Sequence, residues 1–292
     1  MEAMTGGDAE ARGDAEARGD QTETLRGGVE TRGEDRQVLA GGVANPGAVV
    51  RIGSTVHRPV GPQTAAVHAF LRHLETQGFA GAPRVLGFDA EGREVLTFVP
   101  GEVAIPPELP AWATSDDLLV SVAELQHAIH RMAAGFVLPP RAAWNPGSLP
   151  NTRPEVVCHA DICVENVVVR DSRAVAFIDF DRAAPMDRRM DIAIALRHWI
   201  PMRDPADLEP SRQGVDQRGR FAAFCDVHGL AADDRAYVLD LLGAYLDLAL
   251  VSMERRAAAG HPGFGKIWNA GYAASNRRAR RWLETSRGSL LA

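Results

Sequence analysis

Between residues 37 and 58, apolar and polar positions alternate in short runs. Segments 37–39, 48–52 and 55–58 are β-prone and are separated by Gly41-Gly42 and Gly53-Ser54, which predicts three strands joined by turns. The period then lengthens. Val67, Phe70, Leu71 and Leu74 fall at i, i+3, i+4 and i+7, so a helix is predicted over 63–77. Strand patterning returns at 84–88 and 94–99 and stops at Pro100-Gly101-Glu102, which reads as a hinge. Beyond a Pro-rich connector, helical spacing dominates 115–132, 191–199, 221–228, 233–256 and 265–282, with short strands at 156–158, 166–169 and 175–178. The longest of these helices carries Val238, Leu241, Leu242, Tyr245, Leu248, Ala249 and Ser252 on one face, a core-facing stripe. The predicted fold class is α+β. Residues 35–102 form a small β-rich lobe with one helix, and 103–292 form a larger, mainly helical lobe.

Composition changes the picture at the N-terminus. Residues 1–34 repeat GDAEAR at 7–12 and 13–18, offer hardly any apolar anchor, and are expected to be a disordered acidic tail. Nine acids and four arginines there carry −5 of the net −6, leaving −1 for the body. A nearly neutral body lacks the basic footprint of a nucleic-acid binder. The apolar runs fall short of the ~20 residues of a membrane span, and the polar, acidic start does not follow the pattern of a secretory signal. Cys158, Cys163 and Cys225 are too few and wrongly spaced for a disulfide framework or a zinc site. Free thiols in a reducing, cytoplasmic setting are expected, with neither nucleic acid nor membrane as partner.

The chemistry concentrates in 156–196. There His159-x-Asp161-x4-Asn166 is followed, thirteen residues past the Asn, by Asp179-Phe180-Asp181 at the end of an apolar strand. Phosphoryl transfer requires a group that orients a hydroxyl and can take its proton, and hard oxygen ligands for Mg2+. Asp161 suits the first task; Asn166 and Asp179 suit the second. A hairpin over 166–179, turning at Arg170-Asp171-Ser172-Arg173, can return both ligands to one metal.

This segment resembles the catalytic loop of the protein-kinase-like superfamily, in the form found in the aminoglycoside phosphotransferase and choline kinase family. The matching residues are His159, Asp161, Asn166, Ile178 and Asp179. The resemblance implies a bilobal protein-kinase-like fold. It also implies a phosphoryl donor, Mg2+-ATP or GTP, as nucleotide partner and a small-molecule hydroxyl as acceptor. By the same resemblance His159 and Asp191 support the catalytic loop. Ala160 replaces the arginine of regulated protein kinases, and little chain separates Asp181 from Asp191 for an activation loop, so a small acceptor is favoured.

The chain departs from the family pattern in the first lobe. Arg58 falls where the phosphate-gripping lysine belongs, and no acid stands on residues 63–74 to hold it; His68 takes the inward turn instead and is expected to accept a hydrogen bond from Arg58. Gly41 and Gly42 resemble the family's phosphate-covering turn. Asp233, Asp240, Asp247 and Glu254 repeat at heptad intervals, and with Asp204, Asp207 and Glu209 they would suit an amino-sugar or choline-like acceptor. The missing Lys–Glu pair keeps a second reading open, a catalytically silent protein that binds nucleotide or metabolite.

Overall fold

The computed structural model describes residues 36–39, 47–106, 108–145 and 153–292. The acidic tail, Gly41 and Gly42 lie outside them. The first lobe runs β1 (Arg36–Val38), β2 (Val50–Ile52), β3 (Thr55–Arg58), α1 (Thr64–Thr76), β4 (Val85–Phe88), β5 (Glu94–Thr97). Its strands make one antiparallel sheet in the order β1-β2-β3-β5-β4. On α1 the stripe Val67, Phe70, Leu71 and Leu74 is fully buried, as its helical spacing requires. Neighbouring β3 and β5 pair in a register that sets Arg58 directly opposite Glu94. Residues directly opposite on antiparallel strands bring their side chains together, and the candidate site depends on this pair.

The hinge is a hydrogen-bonded joint. Glu102 exchanges both backbone hydrogen bonds with Val169 of the second lobe, each 2.8 Å. Gly101 makes the approach possible: its φ is +150°, and a Cβ there would stand 2.7 Å from the Val169 carbonyl.

The second lobe opens with α2 (Asp116–Ala133), whose N-terminus is capped by the Ser115 hydroxyl accepting from the Leu118 amide. It continues with β6 (Val156–Cys158), β7 (Val167–Arg170), β8 (Arg173–Phe177), β9 (Ala184–Met186), α3 (Arg188–Trp199), α4 (Gln217–Val227), α5 (Ala232–Ala258), α6 (Pro262–Asn269) and α7 (Tyr272–Leu291). The β7–β8 hairpin turns at Asp171 and Ser172, both at positive φ, as a two-residue turn that matches strand twist demands.

Three expectations need correction. The helix expected over 265–282 is two helices, because the chain breaks at Gly271 in a left-handed conformation (φ +94°) that restarts the helix on a new axis. The strand β9 was not anticipated; it holds Pro185 and pairs only with β6, where a missing N–H is tolerated. Third, α5 is long and apolar enough, by length and composition alone, to cross a membrane. Its Val238, Leu242 and Leu246 are buried in the core formed with α3 and α7, and the buried stripe ends at Leu246 rather than reaching Ser252.

Candidate active site

The loop between β6 and β7 and the turn after β8 are tied together by hydrogen bonds. Buried His159 donates through Nε2 to the Ile178 carbonyl (2.9 Å), and its Nδ1 accepts from the Asp161 amide (3.3 Å). One imidazole therefore fixes the loop carrying Asp161 against the strand end carrying Asp179. Its ring sits between Phe177 and Phe180, with centroids 5.7 and 4.5 Å away. Asn166 donates Nδ2 to the Asp161 carbonyl (2.9 Å), while its own carbonyl accepts from the Ile178 amide (2.9 Å). With Nδ2 committed, Asn166 Oδ1 remains as a neutral oxygen donor. Asp179 takes up a left-handed conformation (φ 61°, ψ 67°), unusual for a residue other than glycine and found at functional sites. Phe180 packs 6.3 Å from Phe70 of α1, so the acid-bearing turn also touches the first lobe.

Asp191, on the first turn of α3, is buried and accepts three hydrogen bonds. One comes from the Ala160 amide (2.7 Å), the others from Gln126 and His130 of α2 (2.8 Å each). Burial alone would raise its pKa, but the bonds from His130 and Gln126 outweigh it and hold the carboxyl below its ordinary value. Ala160 pays for this geometry with φ +62°, a left-handed conformation that favours glycine. His130, Cys158 and Asp191 bring ligand atoms within 4.8 Å of one another. They do not read as a metal centre: His130 and Asp191 bond each other, and burial pushes the Cys158 thiol well above its ordinary pKa.

Asp161 itself is half-buried. Burial raises its pKa, Arg182 and His159 oppose the rise, and Asp179 and Asp191 add to it.

The first lobe answers the question of the missing acid. Arg58 and His68 do not bond each other as expected; Glu94 stands between them. Arg58 Nε donates to one Glu94 oxygen (2.7 Å) and His68 Nε2 meets the other (2.7 Å). Because an ionised carboxylate only accepts, His68 carries its proton on Nε2. The acid that the family pattern puts on the helix comes here from β5, with a helix histidine behind it. Arg58 reaches on to the second lobe, with Nη1 2.9 Å from Asp179 and Nη2 2.7 Å from Asp181. Burial would lower the Arg58 pKa, yet Asp181, Glu94 and Asp179 outweigh it and keep the guanidinium charged.

The heptad acids behave differently from the expectation. Asp240 pairs with Arg287 (2.8 Å) and Asp247 with Arg280 (3.4 Å), both on α7. Asp207 pairs with Arg278, Glu209 lies 3.8 Å from Arg203, and Asp204 caps the Ala206 amide. Trp199 is a buried core residue whose indole donates to the Ile162 carbonyl (3.1 Å).

Residues 137–224 match the family described as the Phosphotransferase enzyme family. The trifolitoxin immunity protein of Rhizobium leguminosarum bv. trifolii is 34% identical over 202 residues, 66% of this chain and 75% of that protein. Among solved structures, a choline/ethanolamine kinase family protein from Mesorhizobium loti aligns with TM-score 0.59 at 16% identity, covering 89% of this chain and 91% of that one. An amicoumacin kinase in complex with AMP-PNP and Ca2+ aligns with TM-score 0.61 at 15% identity, over 86% and 88%. The kinase-like fold, a sheet-bearing first lobe before a helical second lobe, is common to all three structures.

Proposed function

The chain belongs to the phosphotransferase enzyme family, and from that premise we propose that it transfers the γ-phosphoryl group of a Mg2+-bound nucleoside triphosphate to a hydroxyl of a small molecule. The observation that carries the reading is the bonded network of His159, Asp161, Asn166 and Ile178. It holds a carboxylate and an oxygen donor beside the Asp179 turn on a buried, braced loop.

In this reading Asp161 orients the acceptor hydroxyl and takes its proton as the bond to phosphorus forms. Its raised pKa makes it a better base than an exposed carboxylate. Asn166 Oδ1 and the Asp179 carboxylate are hard oxygen donors of the kind Mg2+ prefers, and the bound cation supplies neutralisation of phosphate charge. Arg58, oriented by Glu94 and His68, supplies a fixed cation toward the phosphates. Its bonds to Asp179 and Asp181 are the contacts it exchanges when nucleotide enters. The Glu94 bridge also weakens the silent reading, whose motive was an arginine without a supporting acid.

The test is a coupled nucleotide-consumption assay over a panel of hydroxyl acceptors, with ATP and GTP as donors. Acceptor-dependent turnover that falls at least 10³-fold in Asp161→Ala is expected. Equal turnover in the two proteins refutes the mechanism, and nucleotide binding without turnover on any acceptor restores the silent reading.

A further inference from the structure

A cavity of about 290 Å³ opens in the second lobe between α2, the start of β6, α3 and the end of α4. Three histidines line it: His127 and His130 of α2, and His228 at the C-terminus of α4. His127 and His130 are three residues apart, neighbours on one helix face. The His228 ring centre lies 5.6 Å from that of His127 and 5.8 Å from that of His130. His130 is 5% exposed and His228 8%. Among the described residues, His130 Nδ1 and His228 Nε2 are both buried without a hydrogen-bond partner. One unmet buried ring nitrogen is costly. Two at the same cavity point to a ligand.

The bonds that His130 does make identify the ligand. Its Nε2 donates to one oxygen of Asp191 (2.8 Å), whose other oxygen accepts from the Ala160 amide (2.7 Å). With the proton on Nε2, the neutral ring keeps a lone pair on Nδ1. A metal-ligating histidine has this arrangement, one nitrogen for the ion and the other N–H given to a carboxylate. Burial keeps His228 neutral as well, the form that ligates. A Zn–N bond of about 2 Å sets the centres of two imidazoles on one tetrahedral ion ~5 Å apart. The rings here stand slightly wider, so a bound ion draws them in by less than about 1 Å. Arg131, Arg188 and Glu155 also line the cavity, but all three are exposed, and Arg188 lies 3.9 Å from Glu155. Water and salt screen charges placed there.

We propose that His130 Nδ1, His228 Nε2 and His127 bind a divalent transition-metal ion of the zinc class, and that the ion braces the catalytic loop through His130, Asp191 and Ala160. Imidazole donors select zinc, cobalt or nickel over magnesium, so this site is distinct from the oxygen donors Asn166 and Asp179. A cation on Nδ1 withdraws charge from the ring and makes Nε2–H a stronger donor to Asp191. That carboxylate holds the Ala160 amide, one residue before Asp161. The proposal stands apart from the kinase reading, since neither the site nor its bonds involve nucleotide.

The test uses the full chain without an affinity tag, freed of metal by a chelator. Zn2+ affinity is measured by competition with a chromophoric chelator, and Co2+ reports its ligands through visible absorption. One equivalent of Zn2+ with a dissociation constant of about 1 μM or tighter is expected, with the intense absorption of a nitrogen-rich tetrahedral Co2+ site. His228→Leu and the half-buried change His127→Ala each weaken Zn2+ at least tenfold, while His261→Ala, outside the cavity, binds as wild type does. Amide exchange across residues 159–161, followed by mass spectrometry, slows at least tenfold with Zn2+ in the wild type and is unmoved by Zn2+ in His228→Leu. Equal Zn2+ affinity in the wild type and both cavity variants, or the weak absorption of an all-oxygen Co2+ site, overturns the metal site. A melting shift given by inorganic phosphate and not by Zn2+ assigns the cavity to an anion and overturns it too. Zn2+ bound as expected with exchange unchanged overturns the link to the catalytic loop.

Discussion

Replacing Glu94 by Gln probes the device that distinguishes this site. The carboxylate is 2% exposed and is shared by Arg58 and His68 at 2.7 Å each. An amide of the same shape keeps one acceptor oxygen for Arg58 and turns its NH2 toward His68, which can accept only by moving its proton to Nδ1. The His68 bond becomes a neutral one and the Arg58 bond keeps its cationic donor but loses its anionic acceptor, a loss of roughly 1 kcal/mol each. Breaking a buried ion pair outright costs ~3–5 kcal/mol, but Arg58 retains Asp179 and Asp181, so about 2–3 kcal/mol of stability is the expected loss. Without its anchor on β5, the guanidinium settles on those two acids and away from the phosphates. Nucleotide affinity is then expected to fall by about 10–100-fold, equivalent to ~1.4–2.7 kcal/mol. Urea unfolding gives the first quantity and equilibrium titration of Mg2+-nucleotide the second. A variant that loses less than about 0.5 kcal/mol and binds nucleotide as wild type does would refute the view that Glu94 replaces the helix acid.

Further outcomes follow from the same structure. Asp191→Asn places an NH2 among three donors, so a loss of roughly 2–4 kcal/mol in unfolding free energy is expected, with a fall in kcat larger than any change in KM. Gly101→Ala drives a methyl against the Val169 carbonyl; a loss of about 2–3 kcal/mol is expected, read as a lower urea midpoint at unchanged m-value. His228 has an unpartnered buried Nε2, and burial, then His130 and His127, push its pKa down to about 3. The unfolded chain therefore binds that proton first. Stability is full above pH ~6.5 and falls by ~1.4 kcal/mol per unit as pH drops toward 3, on the order of 5 kcal/mol in all. His228→Leu should remove this part of the slope, which urea midpoints between pH 7.5 and 4.5 would measure; identical slopes in the two proteins would contradict the assignment.

Local patterning carried most of the fold. Strand 55–58 and strand 156–158 coincide with β3 and β6, and the α1 stripe is the buried one, because period and turn residues act over a few positions. Glu94 escaped notice because its partners are 36 and 26 residues away and meet it only through the β3–β5 register. One signal was available: a charged residue opening an otherwise apolar strand, able to stand opposite Arg58. The acid stripe misled for a related reason. Heptad spacing shows that Asp240 and Asp247 share a helix face, but not that the arginines of α7 cover it. His159, Asp161, Asn166 and Asp179 stand out in the sequence because phosphoryl transfer calls for those side-chain types in that order, and the structure bonds the segments that carry them to one another.

The claim on which the account depends is that Asn166 and Asp179 hold one divalent cation beside Asp161. Mn2+ binding to the wild-type protein with an ATP analogue, followed by electron paramagnetic resonance, tests it most directly. Asn166→Ala and Asp179→Ala are each expected to weaken Mn2+ at least tenfold, about 1.4 kcal/mol or more, measured at a temperature where circular dichroism shows each variant folded. Undiminished Mn2+ affinity in both variants would contradict the account.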